Sequence, residues 1–208
     1  MYMFSMMSIP LMFVALVFWT NRSAEPVWRA AGLGLFMGIP AILLWMLIAP
    51  LYAPLYGSPL LVLSFFIRCW LVPFGLSILA YSLTIGLPGL ARKNDYDRFL
   101  GFMAGSMTLF ALANTVYTWG QPSRVLALLL PLVMASSVLA FPVFVEEAVK
   151  DGMPAAIKQI VFVVAGFMVA ATGISLFFFR LEWLGFVLSV LYLAGTTFLG
   201  LRRLFQKH

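Results

Sequence analysis

The sequence predicts an all-α fold, a polytopic transmembrane helix bundle of about seven spans with its amino terminus outside and its carboxyl terminus cytoplasmic. The first observation is composition: 63% of the 208 residues are hydrophobic and 10% are charged, whereas soluble domains carry roughly 25% charged residues. So few charges cannot cover the surface of a soluble fold of this size. The second observation is that the apolar residues form long separate runs, and the third is that basic residues concentrate in every second connecting segment.

Each apolar run is long enough for one crossing, since a transmembrane helix needs about 20 mainly apolar residues. No positive charge precedes the first run, so it is interpreted as a retained span rather than a cleavable signal peptide. The whole chain, residues 1–208, is expected to form a single integral membrane domain. The predicted spans lie near residues 3–20, 28–52, 62–90, 99–119, 124–145, 157–179 and 183–201.

The segment between the second and third spans is not typical of a simple helix. Pro50, Pro54 and Pro59 interrupt it at short intervals. An interfacial or re-entrant piece over residues 50–62 is therefore predicted. Irregular backbone at membrane depth must be buried in protein or line water, because lipid offers it no hydrogen bonds.

The distribution of basic residues predicts the orientation. With the amino terminus outside, the outside loops hold only Arg124 and Arg180, and Arg68 lies inside a run. This asymmetry follows the positive-inside rule. The net charge of +6 is accordingly attributed to topology and to contact with anionic headgroups, not to nucleic-acid binding. The inside segments hold the remaining basic residues, Arg22, Arg29, Arg92, Lys93, Arg98, Lys150, Lys158, Arg202, Arg203 and Lys207.

The residues that usually carry catalysis or metal binding are scarce. The chain has one cysteine, Cys69, and one histidine, His208. An internal disulfide, a multi-cysteine metal site and histidine-based zinc or haem sites are therefore not expected. The spans hold no acidic cluster and no Ser–His arrangement, so we expect no catalytic residues, no metal, no cofactor and no enzymatic activity.

Arg68, in the stretch FFIRCWLVPF, is the one charged residue deep in an apolar run. Intramembrane charges are costly and often mark a binding site. Arg68 is therefore a candidate to hold an anionic substrate, a lipid headgroup or a carboxylate of a partner. The alternative is that Arg68 lies a turn or two below the surface and extends its side chain to the headgroups.

Asn114, in LFALANTVYTW, is expected in the outer half of the fourth span. A buried amide in lipid commonly pins one helix to another, so packing is its first interpretation. Because Arg68 is also expected toward the outer side, a second hypothesis is that Arg68 and Asn114 share one substrate or headgroup site.

Small residues recur four apart in GFMAG, residues 101–105, and in AGFMVAATG, residues 165–173. Such spacing lets transmembrane helices approach closely. These two stretches predict helix packing, and they carry no information about a substrate.

The stretch FVEEAVKDGMPAAIK, residues 144–158, holds a candidate partner-docking site made of Glu146, Glu147, Asp151 and Gly152. A helix end followed by a glycine-terminated turn explains much of this stretch. It does not explain two adjacent glutamates near a helix carboxyl terminus, where the macrodipole disfavours negative charge. A compensating cation is therefore expected, either on a partner subunit or within ARKNDYDR, residues 91–98.

The same stretch resembles short motifs of two known families. Residues 146–150, EEAVK, have the form EExxK and are similar to one motif of the PrsW-type membrane proteases. Those proteases place further acidic and histidine residues in later spans, whereas Glu182 is the only such residue in the spans after 158. Residues 146–152, EEAVKDG, resemble the EAAxxxG coupling loop of ABC importer permeases, which implies docking on an ATPase. That resemblance covers seven residues, and Glu147 replaces the first alanine of the motif.

Small size, proline-interrupted spans, one buried arginine and short loops favour a protein of the transport class. We expect a permease or substrate-binding subunit of a larger membrane assembly, in the bacterial inner (plasma) membrane. The alternative is a seven-span sensor or scaffold subunit that acts through partner proteins. The expected partners are the lipid bilayer and other membrane or cytoplasmic subunits, with no nucleic acid.

Overall fold

Helices account for nearly all of the residues described by the computed structural model, which are residues 2–20, 24–48, 60–85, 95–117, 124–150 and 153–206. Within these ranges there are seven helices and no strand, so the predicted all-α class is confirmed. The helices are α1 Tyr2–Thr20, α2 Ala24–Ile48, α3 Leu61–Thr84, α4 Asp95–Tyr117, α5 Arg124–Lys150, α6 Met153–Leu176 and α7 Glu182–Gln206.

Five helices in the described part are long and apolar enough to cross a bilayer, and they make the chain an integral membrane protein. α1 contributes a shorter apolar helix, Met7–Val17. Most of the predicted irregular piece, residues 50–59, lies outside the described residues, and Leu61 begins α3. The five long stretches are Pro26–Ile48, Leu61–Thr84, Leu128–Val149, Met153–Leu176 and Glu182–Arg203.

Contacts between side chains give the direction of each helix. α3 and α4 are antiparallel, because Cys69 contacts Asn114 while Ser77 contacts Ser106. α5 and α7 are parallel, because Ser137 contacts Tyr192, and Glu146, farther along α5, contacts Arg203, farther along α7. The starts of α2, α4 and α6 lie with the ends of α5 and α7, as the contacts Gly101–Val27, Phe99–Phe141 and Gln159–Glu147 show. We call this end of the bundle the basic end, because it holds Arg29, Arg98, Lys158 and Arg203. The end of the bundle away from it is called the opposite end.

Glycines allow α2 and α4 to touch along their backbones. A Cβ atom added to Gly105 would overlap the carbonyl of Ala31, and one added to Gly101 would lie 2.7 Å from the carbonyl oxygen of Val27. Gly34 on α2 makes the reciprocal contact with the backbone of α4. In the second predicted packing stretch, residues 165–173 of α6, a Cβ atom on Gly173 would lie 2.8 Å from the Ser189 hydroxyl on α7. The predicted close packing of both stretches is confirmed.

The core lies around α4 and α5, and the other helices enclose them. Aromatic rings fill it in edge-to-face pairs, with Tyr81 4.7 Å from Phe99 and Phe74 4.9 Å from Phe141 between ring centroids. Large apolar side chains on α2, α6 and α7 point outward instead, which is the distribution expected where lipid is the solvent. Examples more than half exposed are Phe36, Leu47, Met153, Val161, Trp183 and Phe198.

Candidate functional site

Arg68 lies in a π-helical segment, Phe66–Leu71, in the middle of α3. The N–H of Val72 donates to the carbonyl of Ile67, five residues back. The next residue in that pattern is Pro73, which has no N–H to donate to the carbonyl of Arg68. The indole Nε1 of Trp45, on α2, donates to this carbonyl instead at 2.8 Å. Single π turns inside α-helices occur frequently at functional sites.

Trp45 contacts the side chain of Arg68 as well as its carbonyl. The guanidinium carbon Cζ lies 5.7 Å from the centroid of the indole ring. A cation–π contact of this kind is worth about 2 kcal/mol when water is excluded. Arg68 is only 5% exposed and Trp45 only 1%. The charged group is thus enclosed by protein rather than extended along the lipid-facing surface.

Asn114, on α4, contacts Cys69, the residue after this arginine. Arg68 and Asn114 therefore lie at the same end of the bundle, away from the basic end. The Nδ2 of Asn114 donates to the carbonyl of Phe110 on its own helix at 3.1 Å. Its Oδ1 accepts from the thiol of Cys69, the residue after Arg68, at 3.5 Å. Asn114 is 1% exposed. We call Trp45, Arg68, Cys69 and Asn114 the Arg68 cluster. The structure brings the two predicted residues into one region, and their shared binding role stays a prediction.

Polar links continue from the cluster toward the centre of the bundle. Trp70 donates through Nε1 to the hydroxyl of Ser137 at 3.2 Å, and that hydroxyl lies 2.9 Å from the Tyr192 hydroxyl. These contacts join α3, α5 and α7 within an apolar interior, where each hydrogen bond fixes one helix against another. Sequence reasoning missed them, although two adjacent serines in an apolar run, Ser136 and Ser137, were a detectable signal.

The two adjacent glutamates of α5 have different environments at the basic end. Glu146 is 3% exposed, and Arg203 on α7 donates to both of its oxygens, from Nη2 at 2.8 Å and from Nε at 3.1 Å. Glu147 is exposed and accepts from Nε2 of Gln159 at 2.7 Å. A cation that compensates Glu146 thus comes from this chain, from Arg203 on α7. Residues 91–94 of the predicted basic stretch lie outside the described residues. Asp151 and Gly152 lie outside the described residues.

Arg203 holds Glu146 in the two-point geometry that makes arginine–carboxylate pairs strong. The pair connects α5 and α7 at the point where both helices approach water. Because Glu146 sits near the carboxyl end of α5, where the dipole disfavours it, the pair offsets an unfavourable placement. This arrangement explains Glu146 as a structural residue and leaves Glu147 as the exposed carboxylate of the candidate docking site.

Three cavities accompany these residues, and Arg68 lines none of the three. The first, about 340 Å³, opens at the basic end and is lined in part by Arg29 and Arg98. The second, about 300 Å³, is an almost wholly apolar groove between α3, α5 and α6, with Gln159 in its lining. The third, about 270 Å³, lies between α5, α6 and α7 near Tyr192. Within the described ranges, no group of His, Cys, Asp or Glu side chains is placed to hold a metal ion.

Comparison with known proteins adds no functional assignment. No protein-family model matches the chain, and neither the curated proteins nor the solved structures give a significant match. Function is therefore argued from the residues and their geometry.

Proposed function

We propose that the chain is a multi-spanning membrane protein of the transport class, a permease or substrate-binding subunit of a larger membrane assembly, in which Arg68 recognises an anionic group on the substrate. The single observation that carries this proposal is the enclosed guanidinium of Arg68 within a π-helical turn. Burying a charge among apolar helices is costly, and such charges characteristically belong to binding sites or pathways. A purely structural helix contact would be met at lower cost by an apolar residue.

The chemistry of the cluster suits a carboxylate or a phosphate. A guanidinium presents a planar row of N–H groups that matches two oxygens of such an anion. The Trp45 ring contacts the cation by its π face, and the edge of a guanidinium is the part that donates hydrogen bonds to an anion. The Asn114 amide, on α4, contacts Cys69, the residue after Arg68 on α3, and adds a polar group to the same region.

The topology that accompanies this proposal has seven crossings, with the amino terminus outside, the carboxyl terminus cytoplasmic, and a location in the bacterial inner membrane. Two observations support it. α1 and α4 pack among the five long apolar helices, with Phe13 of α1 5.3 Å from Trp28 of α2 between ring centroids. The basic end, where the sequence concentrates positive charge, is the end assigned to the cytoplasm.

In the larger assembly, Glu147 is the residue assigned to partner docking, because it is exposed at the end of α5 while Glu146 is already paired. Asp151 and Gly152, the other two residues of the predicted docking site, lie outside the described residues. A soluble subunit that docks there would present a basic side chain to Glu147.

A seven-span sensor or scaffold subunit is the second candidate. The observation that favours it is the tight enclosure of Arg68 by Trp45 and Cys69, together with the apolar faces of α2, α6 and α7. In this alternative, the assembly partners cover one of those faces and the Arg68 cluster stabilises the fold that presents it.

A ligand screen on the purified protein separates the two. Thermal unfolding is measured in detergent with a panel of carboxylates and phosphate esters, first for the wild type and then for Arg68→Gln. The matched control is Arg180→Gln, which removes an exposed positive charge at the same end of the bundle. We expect at least one anion to stabilise the wild type and R180Q but not R68Q. Equal stabilisation of R68Q by every active anion excludes the recognition role.

Mild-detergent affinity purification tests the assembly itself. Recovery of an ATPase with the chain supports the permease proposal. Recovery of a kinase or of a structural complex without an ATPase supports the sensor or scaffold alternative.

A further inference from the structure

A cavity of about 340 Å³ at the basic end combines two arginines with an apolar wall. Four of its lining residues, Pro26, Arg29, Ala30 and Leu33, are spaced as one face of α2. Ile85 closes the cavity from the end of α3, and Arg98 from the first turns of α4. The cavity therefore lies where three helices meet water, at the level of the lipid headgroups.

The two arginines come from different helices and both line the cavity. Both arginines are exposed, so an incoming ligand does not have to open the bundle to reach them. Guanidinium groups bind phosphate oxygens in a two-point geometry. Among the described lining residues, the other four are apolar, and their side chains give a small hydrated anion no hydrogen bonds. An amphiphile with a phosphate at one end satisfies both parts of the cavity.

The apolar part of the cavity continues along the lipid-facing side of α2. Leu33 lines the cavity and is itself 36% exposed, and Leu44, three turns farther along the same side, is 46% exposed. Eleven residues of helix span about 16 Å. This length is about half of the roughly 30 Å hydrocarbon thickness of a bilayer, so it corresponds to one leaflet. An acyl chain that starts at the cavity can lie along α2 over the depth of its own leaflet.

We propose that this cavity binds the headgroup phosphate of an anionic phospholipid between Arg29 and Arg98, with an acyl chain along Leu33 and Leu44 of α2. The bound lipid bridges α2 and α4, the two helices that touch through glycine backbones. An anionic lipid is preferred to a zwitterionic one, because the two arginines repel a headgroup cation placed beside the phosphate. The site is independent of the role proposed for Arg68, which lies at the opposite end.

The test measures thermal unfolding of the detergent-purified protein during titration with phosphatidylglycerol or phosphatidylcholine. The variants are Arg29→Gln, Arg98→Gln and the double variant, with Arg202→Gln as control. Arg202 is exposed on α7 at the same end of the bundle, so R202Q removes the same charge away from the cavity. We expect phosphatidylglycerol to stabilise the wild type and R202Q with equal apparent affinity, and phosphatidylcholine to have a much smaller effect.

The double variant is expected to bind phosphatidylglycerol about twenty-five-fold more weakly, from roughly fivefold for each basic residue near an anionic headgroup. Each single variant retains one guanidinium and is expected to lose part of the affinity, which keeps the test decisive if the double variant folds poorly. An unchanged affinity in both single variants overturns the proposal. Equal stabilisation by inorganic phosphate alone also overturns it, because the cavity then recognises a free anion rather than a lipid.

Discussion

Replacing Arg203 by Gln removes the guanidinium that donates to both oxygens of Glu146. Loss of one partner of a buried ion pair costs about 3–5 kcal/mol, because the remaining charge stays buried without compensation. Here the Glu146 side chain is 4% exposed, but the Arg203 side chain is 28% exposed. Water screens the pair from the arginine side, so we expect a cost below this range, about 2 kcal/mol.

The assay is reversible unfolding in mixed micelles or bicelles, followed by circular dichroism. For a chain of this size, about 2 kcal/mol corresponds to a fall in Tm of about 4–8 °C. The control is Arg202→Gln, which removes the same charge from the neighbouring exposed position and should change stability by less than about 0.5 kcal/mol. The double variant Glu146→Gln/Arg203→Gln leaves no buried charge, and we expect it to regain about 1 kcal/mol relative to R203Q.

Equal unfolding temperatures for R203Q and R202Q would contradict a stabilising pair between Arg203 and Glu146. The pair is also contradicted if the double variant is less stable than R203Q by the full cost of the single Glu146→Gln substitution. The two effects are then additive, which means that the residues do not interact. A coupling between positions 146 and 203 is the specific outcome that the bidentate geometry requires.

Two further substitutions test the helix contacts. Trp45→Phe removes the indole N–H that donates to the carbonyl of Arg68, and it should lower the free energy of unfolding by about 1–3 kcal/mol in the same assay. The control Trp28→Phe, at a 40% exposed position, should lower it much less. Equal effects of the two substitutions would contradict the assigned hydrogen bond. Gly105→Ala places a methyl group against the backbone of α2 and should destabilise the protein by about 1–3 kcal/mol. The control Gly32→Ala places its methyl group in open space and should be neutral or slightly stabilising. An unchanged stability of G105A would contradict the close contact between α2 and α4.

Composition and the long apolar runs were sufficient to predict an all-helical membrane protein, because lipid imposes long apolar helices with little freedom of choice. The same reasoning placed Arg68 and Asn114 near one end of the bundle, since antiparallel spans bring matching depths together. The contacts between helices were harder to foresee. The sequence indicated close approach at residues 101–105, but nothing in it selected α2, with Gly34, as the partner helix.

The details of the Arg68 cluster were not predictable from the sequence for a physical reason. Pro73 indicates a disturbed helix, but whether the disturbance becomes a kink or a π turn depends on which group satisfies the released carbonyl. That group is Trp45, 23 residues away in sequence, and an aromatic residue in an apolar run is equally typical of a lipid-facing position. Similarly, several basic residues are expected at the basic end, and only packing selects Arg203 for Glu146.

If Arg68 recognises an anion as part of transport, as we propose, its replacement must reduce the uptake of that anion into proteoliposomes. The purified assembly is reconstituted with the wild-type chain, Arg68→Gln or Arg180→Gln, and uptake of a radiolabelled anion that stabilises the wild type is followed over time. We expect the wild type and R180Q to take up the anion equally, and R68Q to lose uptake although it folds and assembles normally. Uptake by R68Q at the wild-type rate would contradict the proposal.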